Sequence, residues 1–285
     1  MCYYKMKYEK RGGCMADSRA IGVFDSGLGG LTVARELIRE LPQEDIVYFG
    51  DTGRVPYGSR GASVIASYAA QDCRFLLSQD VKLIIAACGT VSSVAAQVLK
   101  TLPVPAIGVV EPTAEKAAAV TRSGKIGIIG TASTIHSGAY ERQLRQLLPG
   151  AQLFSEPCPL LVSLVENGWI EADNEVTRLT VRRYLAPLRE AGIDTLILGC
   201  THFPLLVPFL REYLGDGVTL VDSGREAAER CAEILRRRDL LNLSRKRAEA
   251  RFYVSDRPQD FARTAQMFLG RDVADKMHLV DIEKV

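Results

Sequence analysis

Short apolar segments alternate with amphipathic helical patterns along most of this chain, and this alternation constrains the fold more than any other feature. The segments are rich in β-branched residues and continuously apolar, which is typical of strands covered on both faces. Alternating strands and helices form right-handed β-α-β units, so we predict an α/β fold with parallel sheets flanked by helices. The predicted strands lie at 21–24, 46–49, 83–87, 106–110, 126–130, 152–154, 195–199, 218–222 and 251–254, and the predicted helices at 31–40, 62–78, 91–101, 137–148, 173–190, 203–214 and 225–238.

A weak internal repeat indicates that the chain consists of two similar halves. IGVF opens the first half at 21–24, and IGII opens the second at 126–129. Each half then reaches an apolar strand followed by Cys and, within two residues, Thr: LIIAACGT at 83–90 and LILGCTH at 196–202. Ligands of open α/β sheets bind at the carboxyl ends of the strands. We therefore expect a pseudo-symmetric molecule with Cys88 and Cys200 on opposite sides of an inter-domain cleft.

The matched contexts of Cys88 and Cys200 favour a chemical role, although a single Cys at a strand end is usually a small buried hydrophobic residue. A thiol between a strand end and a helix N-terminus lies in a field that favours the thiolate. With an ordinary pKa near ~8.5, such a thiol needs little help to act as a base near neutral pH. The other five cysteines lack this context, and Cys73 and Cys231 lie within helical patterns, where packing roles are predicted.

The glycine-rich segment FDSGLGG (24–30) follows the first predicted strand and precedes a helix. Its backbone N–H groups are suited to an anion or a carboxylate. A tight turn in which Asp25 or Ser26 caps the helix is an equally good interpretation. The segment is not a dinucleotide-binding fingerprint, because Thr32 stands where the third glycine belongs.

Three other positions carry polar groups that the fold would bring to the same sheet edge. The loop 49–61 contains Tyr57, and its Asp51 is predicted either to cap the loop or to pair with Arg54. Glu166 precedes an Asn-Gly turn and, taken alone, is typical of a surface position. His202 follows the second cysteine motif directly and could exchange protons with that thiol, although a single His is more often structural.

Composition and charge exclude several classes of protein. The chain has 285 residues, which suggests one large or two small domains, and its net charge of +2 does not favour nucleic-acid binding. The sequence contains no apolar run of about 18 residues, the length that would predict a membrane-spanning helix. Seven cysteines without a Cys-x-x-Cys pair, together with three histidines, argue against a zinc site and for reduced thiols in the cytoplasm.

The first residues differ from the rest of the chain. Residues 1–19 are polar and carry no strand or helix pattern, so we predict a disordered extension that is not a secretory signal. An ordinary globular chain could begin at Met15.

Several long motifs, in order, resemble the glutamate racemase family of the aspartate/glutamate racemase superfamily. The resemblance extends from about Ile21 to Ala228. The matching stretches are GVFDSGLGGLTV (22–33), YFGDTGRVPYG (48–58), AACGT (86–90), IGVVEPT (107–113), HSGAYE (136–141), LVENGW (164–169), LGCTHFPLL (198–206) and LVDSGREAA (220–228).

This resemblance implies roles for individual residues. It makes Cys88 and Cys200 the two acid/base thiols, Cys88 acting on D-glutamate and Cys200 on L-glutamate, with Asp25, Glu166 and His202 assisting them. The residues that it implies for substrate binding are Asp25, Ser26, Tyr57, Gly58, Gly89, Thr90, Thr201 and His202. One departure concerns Gly89, where the family usually has Asn, so that a side-chain hydrogen bond to the substrate is replaced at most by a backbone N–H.

The resemblance also implies domains and a biological role. The first α/β domain would comprise 20–112 and 223–285, and the second would comprise 113–222. The expected activity is cofactor-independent interconversion of L- and D-glutamate, without a metal, which supplies D-glutamate for peptidoglycan synthesis, cell-wall biogenesis and cell shape. The expected form is a cytoplasmic homodimer that binds neither nucleic acid nor membrane.

Three alternatives remain open from the sequence. Aspartate racemase belongs to the same superfamily. A Cys/His acyl-transfer enzyme would use one of the two cysteines as a nucleophile, with His202 and Asp25. A non-catalytic ligand-binding α/β protein would need neither thiol.

Overall fold

The computed structural model of the chain describes residues 17–244 and 248–285. Residues 1–16 of the predicted extension lie outside the described residues. The strands are β1 (Ile21–Asp25), β2 (Ile46–Gly50), β3 (Leu83–Ala86), β4 (Ala106–Gly108), β5 (Lys125–Gly130), β6 (Gln152–Pro157), β7 (Thr195–Leu198), β8 (Thr219–Asp222), β9 (Ala250–Val254) and β10 (Met277–Leu279).

The helices connect these strands and cover their faces. They are α1 (Leu31–Glu40), α2 (Ala62–Ser78), α3 (Gly89–Val94), α4 (Ala96–Lys100), α5 (Val110–Val120), α6 (Ala132–His136), α7 (Ala139–Leu147), α8 (Pro159–Glu166), α9 (Glu175–Glu190), α10 (Val207–Leu214), α11 (Ser223–Arg237) and α12 (Pro258–Leu269). Short 3₁₀ turns occur at Tyr57–Ser59, Phe203–Leu206, Ala274–Lys276 and Ile282–Lys284.

The chain forms two parallel sheets, and four strands of the first follow the same order as the four strands of the second. The first sheet runs β10-β9-β2-β1-β3-β4 and the second runs β6-β5-β7-β8. All paired strands are parallel. The order β2-β1-β3-β4 in the first sheet thus recurs as β6-β5-β7-β8 in the second, and each cysteine motif follows the third strand of its half. The predicted α/β class with two similar halves is confirmed.

Helices bury both faces of each sheet, which explains why the strands are continuously apolar. On the first sheet, α1, α11 and α12 pack against one face, and α2, α3 and α4 pack against the other. The first of these cores continues into the second half, where Leu196 and Leu198 of β7 meet α9 and α10. The opposite face of β7 contacts α5 and α7. Each fully buried Leu, Ile or Val contributes roughly 1.5–3 kcal/mol.

Some element boundaries differ from the sequence prediction. The helix predicted at 91–101 begins earlier, at Gly89, and is divided into α3 and α4 at Ala95, whose φ of −124° is not helical. The predicted strand at 106–110 ends at Gly108, because α5 begins at Val110. The predicted domain boundary at 112/113 falls inside α5, and the division of the chain into 20–112 with 223–285 and 113–222 stays a prediction.

Candidate active site

A cavity of about 440 Å³ lies between the carboxyl ends of the two sheets. The loops after β1, β2 and β3 form one wall, and the loops after β5 and β7, with α8, form the other. All but one of the predicted site residues line this cavity, namely Ser26, Tyr57, Gly58, Cys88, Gly89, Thr90, Glu166, Cys200, Thr201 and His202. Asp25 is the exception.

Cys88 is held as a protonated thiol. It follows β3 and forms the N-cap of α3, and its side chain is buried. Burial and the neighbouring Asp25 charge together raise the pKa of Cys88 to about 12, although the hydrogen bond to Ser26 Oγ opposes the rise. The thiol donates to Ser26 Oγ at 3.5 Å. The prediction that a helix N-terminus makes this thiol ionise readily is therefore wrong for Cys88, because desolvation of the thiolate outweighs the helix field.

Cys200 has a cationic neighbour instead. Its Sγ lies 3.6 Å from His202 Nδ1, and His202 Nε2 lies 3.0 Å from Glu166 Oε1. Burial lowers the pKa of His202, but the hydrogen bonds to Cys200 and Glu166 outweigh this and raise it to about 10. At neutral pH the imidazole is therefore an imidazolium. The two thiols therefore have opposite electrostatic surroundings, because the carboxyl group of Asp25 lies near Cys88 and a cation lies beside Cys200.

Asp25 lies at the end of β1, buried beside the cavity wall. Its Oδ2 accepts a hydrogen bond from the Gly27 N–H at 2.9 Å. Within the described residues, Oδ1 has no hydrogen-bond partner. Burial raises the pKa of Asp25, although the positive charge of His202 opposes this. The capping interpretation is wrong, because Gly30 is the N-cap of α1 and no side chain caps that helix.

A buried polar network fixes the loop that brings Tyr57 to the cavity. The Tyr57 hydroxyl donates to Asp51 Oδ2 and lies 3.2 Å from Asp72 Oδ2. Arg54 pairs with Asp51 at 2.6 Å and with Asp72 at 3.1 Å, so the predicted Asp51–Arg54 contact is present. Ser255 Oγ, after β9, donates to Asp51 Oδ1 at 2.8 Å. The network joins the loop, α2 and the end of β9.

The sequence reasoning missed Thr131, which follows β5 and lines the cavity. Its Oγ1 lies 3.0 Å from Thr90 Oγ1 and 2.9 Å from Thr134 Oγ1, so hydroxyl groups from both halves meet at one point. The rule that ligands bind at strand ends could have indicated this residue, because β5 is the counterpart of β1. Among the described residues that line the cavity, none is Lys or Arg.

Two other kinds of feature are absent from the described ranges. No helix in 17–244 or 248–285 is long and apolar enough to cross a membrane. Within the same ranges, no group of three or more His, Cys, Asp or Glu side chains could hold a metal ion.

Comparison with known proteins identifies the family of this chain. The Asp/Glu/Hydantoin racemase family matches residues 22–231. A curated glutamate racemase from Geobacter metallireducens is 49% identical over 258 residues, covering 90% of this chain and 95% of the relative.

Solved structures agree with this match. Glutamate racemase isoform RacE1 from Bacillus anthracis superposes with a TM-score of 0.88 at 38% identity, over 93% of this chain and 98% of that one. The Francisella tularensis glutamate racemase, solved with D-glutamate, gives a TM-score of 0.87 at 36% identity, over 94% of this chain and 100% of that one. The chain therefore belongs to the Asp/Glu/Hydantoin racemase family, and it is an amino-acid racemase, an isomerase.

Proposed function

We propose that this racemase interconverts L- and D-glutamate by proton transfer at the α-carbon between Cys88 and Cys200, without a cofactor. The observation that carries the proposal is the position of the two cysteines. Each follows the third strand of its half, and both line one cavity from different halves. The glutamate racemases among the relatives, one of them solved with D-glutamate, support glutamate as the substrate.

The chemistry requires one base and one acid on opposite faces of the substrate. In the L-to-D direction, the Cys200 thiolate takes the α-proton and becomes a thiol, while the Cys88 thiol gives its proton to the opposite face and becomes a thiolate. One C–H bond breaks, another forms, and the number of protons on enzyme and substrate together is unchanged. The reverse direction exchanges the two roles.

The surroundings of the thiols support a resting state that reacts with L-glutamate, with Cys88 as the acid and Cys200 as the base. Burial and the Asp25 charge raise the pKa of Cys88 to about 12, so this side chain is the proton donor. The His202 imidazolium lies 3.6 Å from Cys200 Sγ and places a positive charge beside the sulfur atom at the other wall. Glu166, bonded to the far nitrogen of His202 at 3.0 Å, keeps the ring charged and oriented. Asp25, Glu166 and His202 then assist the thiols by their charges.

The lining of the cavity supports binding of the substrate by neutral donors. Negative charge that develops toward the α-carboxylate during proton removal is stabilised by preorganised donors. Hydroxyl groups of Ser26, Thr90 and Thr201 are available, with the backbone N–H of Gly89 beside them. The remaining members of the proposed binding set are Asp25, Tyr57, Gly58 and His202; the hydroxyl of Tyr57 already donates to Asp51.

The proposal extends to the role of the product. D-glutamate would serve peptidoglycan synthesis, in the cytoplasm, with the enzyme acting as a homodimer. These points rest on the family resemblance and on the reduced cysteines, and light scattering of the purified chain tests the dimer.

The decisive experiment removes each thiol in turn. Cys88→Ala and Cys200→Ala should each abolish interconversion of glutamate enantiomers, followed by circular dichroism without added cofactor. Cys73→Ala is the matched control, since Cys73 is buried on α2 and does not line the cavity. An acyl-transfer enzyme would survive the loss of one of the two thiols. Robust interconversion in either variant refutes the two-thiol mechanism, and a wild type that racemises aspartate faster than glutamate refutes the substrate.

Solvent isotope labelling tests the same mechanism without mutation. In D₂O the product enantiomer should acquire deuterium at the α-carbon as fast as it forms, because the donor thiol has already exchanged with solvent. The substrate enantiomer should acquire it more slowly at early times, because a thiol that has received the substrate proton is monoprotic and shielded. Equal labelling of both enantiomers at early times would indicate a single shared base.

A further inference from the structure

Thr32 stands where a dinucleotide-binding fingerprint would carry its third glycine, and its side chain contacts the other half of the molecule. It lies in the first turn of α1 and is buried. Its hydroxyl donates to the carbonyl oxygen of Thr201 at 3.0 Å. Thr201 lies between Cys200 and His202, so this hydrogen bond joins the first half to the segment that carries the second thiol.

The accepting carbonyl depends on this bond, because the turn that follows it supplies no donor. The turn forms 3₁₀-type bonds, in which an N–H donates to the carbonyl three residues earlier. The N–H groups of Phe203 and Leu205 donate in this way, at 3.1 and 3.2 Å. The intervening bond, to the Thr201 carbonyl, would have to come from Pro204, which has no N–H. The hydroxyl of Thr32 therefore replaces a donor that the adjacent chain cannot provide, as a buried carbonyl requires.

The single proton of the Thr32 hydroxyl has two acceptors within reach. The Gly29 carbonyl also lies 2.9 Å from Oγ1, but it already accepts the Thr32 N–H at 3.0 Å, so the Thr201 carbonyl is the acceptor that needs the proton. The two segments are in close contact, since a Cβ atom on Gly29 would lie 2.6 Å from His202 Nδ1, where real Cβ contacts essentially never fall below 3.0 Å. The hydrogen bond therefore crosses a closely packed boundary between the halves.

We propose that Thr32 is a positioning residue, which fixes the peptide between Thr201 and His202 and thereby holds the imidazole of His202 beside Cys200. This inference rests on the proposed two-thiol function. The imidazole Nδ1 lies 3.6 Å from Cys200 Sγ, and the ring moves with its own peptide. Without the hydroxyl, the buried Thr201 carbonyl is left to turn toward another donor, because an unsatisfied carbonyl is costly. The ring is then displaced from the sulfur atom.

The first test removes the donor and keeps the shape of the side chain. In a catalytic arrangement, misplacement by about 1 Å can cost about 10²-fold; because His202 acts through Cys200, we expect Thr32→Val to lower kcat for glutamate racemisation by roughly tenfold. Thr32→Ser keeps the hydroxyl and should retain most of the wild-type kcat. An unchanged kcat in Thr32→Val, or equal losses in the two variants, overturns the proposal, because the hydroxyl would then have no role of its own.

Thr195→Val is the matched control for the loss of a buried threonine hydroxyl. Thr195 begins β7, at the end of the strand opposite Cys200, and is fully buried. Its hydroxyl donates to Asp194 Oδ1 at 2.9 Å, within the second half. The substitution should leave kcat unchanged. A loss equal to that of Thr32→Val would show that the effect is not specific to the bond between the halves, and would overturn the proposal.

An NMR titration of the His202 imidazole tests the positioning role without any substrate. The hydrogen bonds to Cys200 and Glu166 raise the pKa of His202 to about 10. Displacement of the ring from the sulfur atom weakens the first of these bonds, so the titration midpoint in Thr32→Val should fall from the wild-type value toward 6.5. The midpoint should stay at the wild-type value in Thr32→Ser and in Thr195→Val. The signal of His202 is identified as the one that is missing from His202→Asn.

An unchanged midpoint in Thr32→Val refutes the positioning role, even where kcat falls. If Thr32→Val does not fold, Thr32→Ala decides in its place, since it differs from Thr32→Ser only by the hydroxyl oxygen. A lower His202 midpoint in the alanine variant than in the serine variant supports the proposal, and equal midpoints refute it. Because the titration needs no turnover, its result stands even when the wild type fails to racemise glutamate, so the two proposals fail separately.

Discussion

The substitution Glu166→Gln isolates the electrostatic support of Cys200 with the smallest change in shape. Glu166 Oε1 lies 3.0 Å from His202 Nε2, and the pKa of His202 is raised to about 10. A rise of that size above the ordinary value of 6.5 corresponds to about 5 kcal/mol of net preference for the imidazolium, which remains after burial has opposed the charge and which the interactions with Cys200 and Glu166 supply. The Glu166 side chain is 43% exposed, so solvent screening reduces its share to about 1 kcal/mol.

We expect Glu166→Gln to lower the pKa of His202 and to reduce kcat/KM by about fivefold at neutral pH, since about 1 kcal/mol corresponds to that factor. The enantiomers have equal free energies in water, so the equilibrium constant is one and kcat/KM must fall equally in both directions. Initial rates from pure L- and pure D-glutamate, followed by circular dichroism, measure both. Glu171→Gln, an exposed neighbour after α8, is the control. A variant within experimental error of the wild type would falsify the idea that Glu166 supports the thiolate through His202.

Four further outcomes are expected. Because the pKa of His202 is raised from 6.5 to about 10, its contribution to stability is fully present below pH 6.5 and is lost as the pH rises through about 10. Urea titrations should therefore show that the wild type has a larger unfolding free energy than Glu166→Gln at pH 6.5. This difference should be absent above pH 10. Lys82→Met should lower the unfolding free energy by roughly 3–5 kcal/mol in the same assay, because the fully buried Lys82 Nζ lies 2.5 Å from Glu44 Oε2 and its loss leaves a buried carboxylate without its cation. Adding Glu44→Gln should recover part of this loss, and no recovery would contradict the reason given. A chain that begins at Met15 should fold and racemise like the full chain, and a large drop in rate would show that the first residues are regulatory. Activity should survive a chelator, and restoration of a lost activity by a divalent metal would disprove cofactor independence.

Ligands of open α/β sheets bind at the carboxyl ends of the strands, and this rule accounts for most of the agreement between the predicted site and the site in the structure. The positions of Cys88 and Cys200 at the ends of apolar strands were sufficient to place them at one sheet edge each. The same rule also placed the glycine-rich segment and the loop with Tyr57 at this edge. These assignments needed only the order of strands and helices, which local apolar patterns encode.

The residues that the prediction missed or misjudged depend on contacts between distant parts of the chain. Thr131 reaches the cavity because α6 and the 3₁₀ turn at Tyr57–Ser59 pack together, as when Ser133 Oγ donates to the Gly58 carbonyl at 2.5 Å. Glu166 is typical of a surface position in sequence, yet it bonds to a His that lies 36 residues away. No local pattern contains such a pairing.

By itself the sequence determined the α/β class, the repeat of two halves and the cysteine at the end of the third strand in each, because hydrophobic periodicity and strand ends are local properties. Only the tertiary structure decided the electrostatic surroundings of each thiol. Burial and Asp25 keep Cys88 protonated, while the His202 imidazolium, paired with Glu166, lies beside Cys200. The structure likewise shows that Gly89 meets the carbonyl of Gly199. Desolvation and close contact depend on interatomic distances between the two halves, and those distances exist only once both sheets have folded and packed.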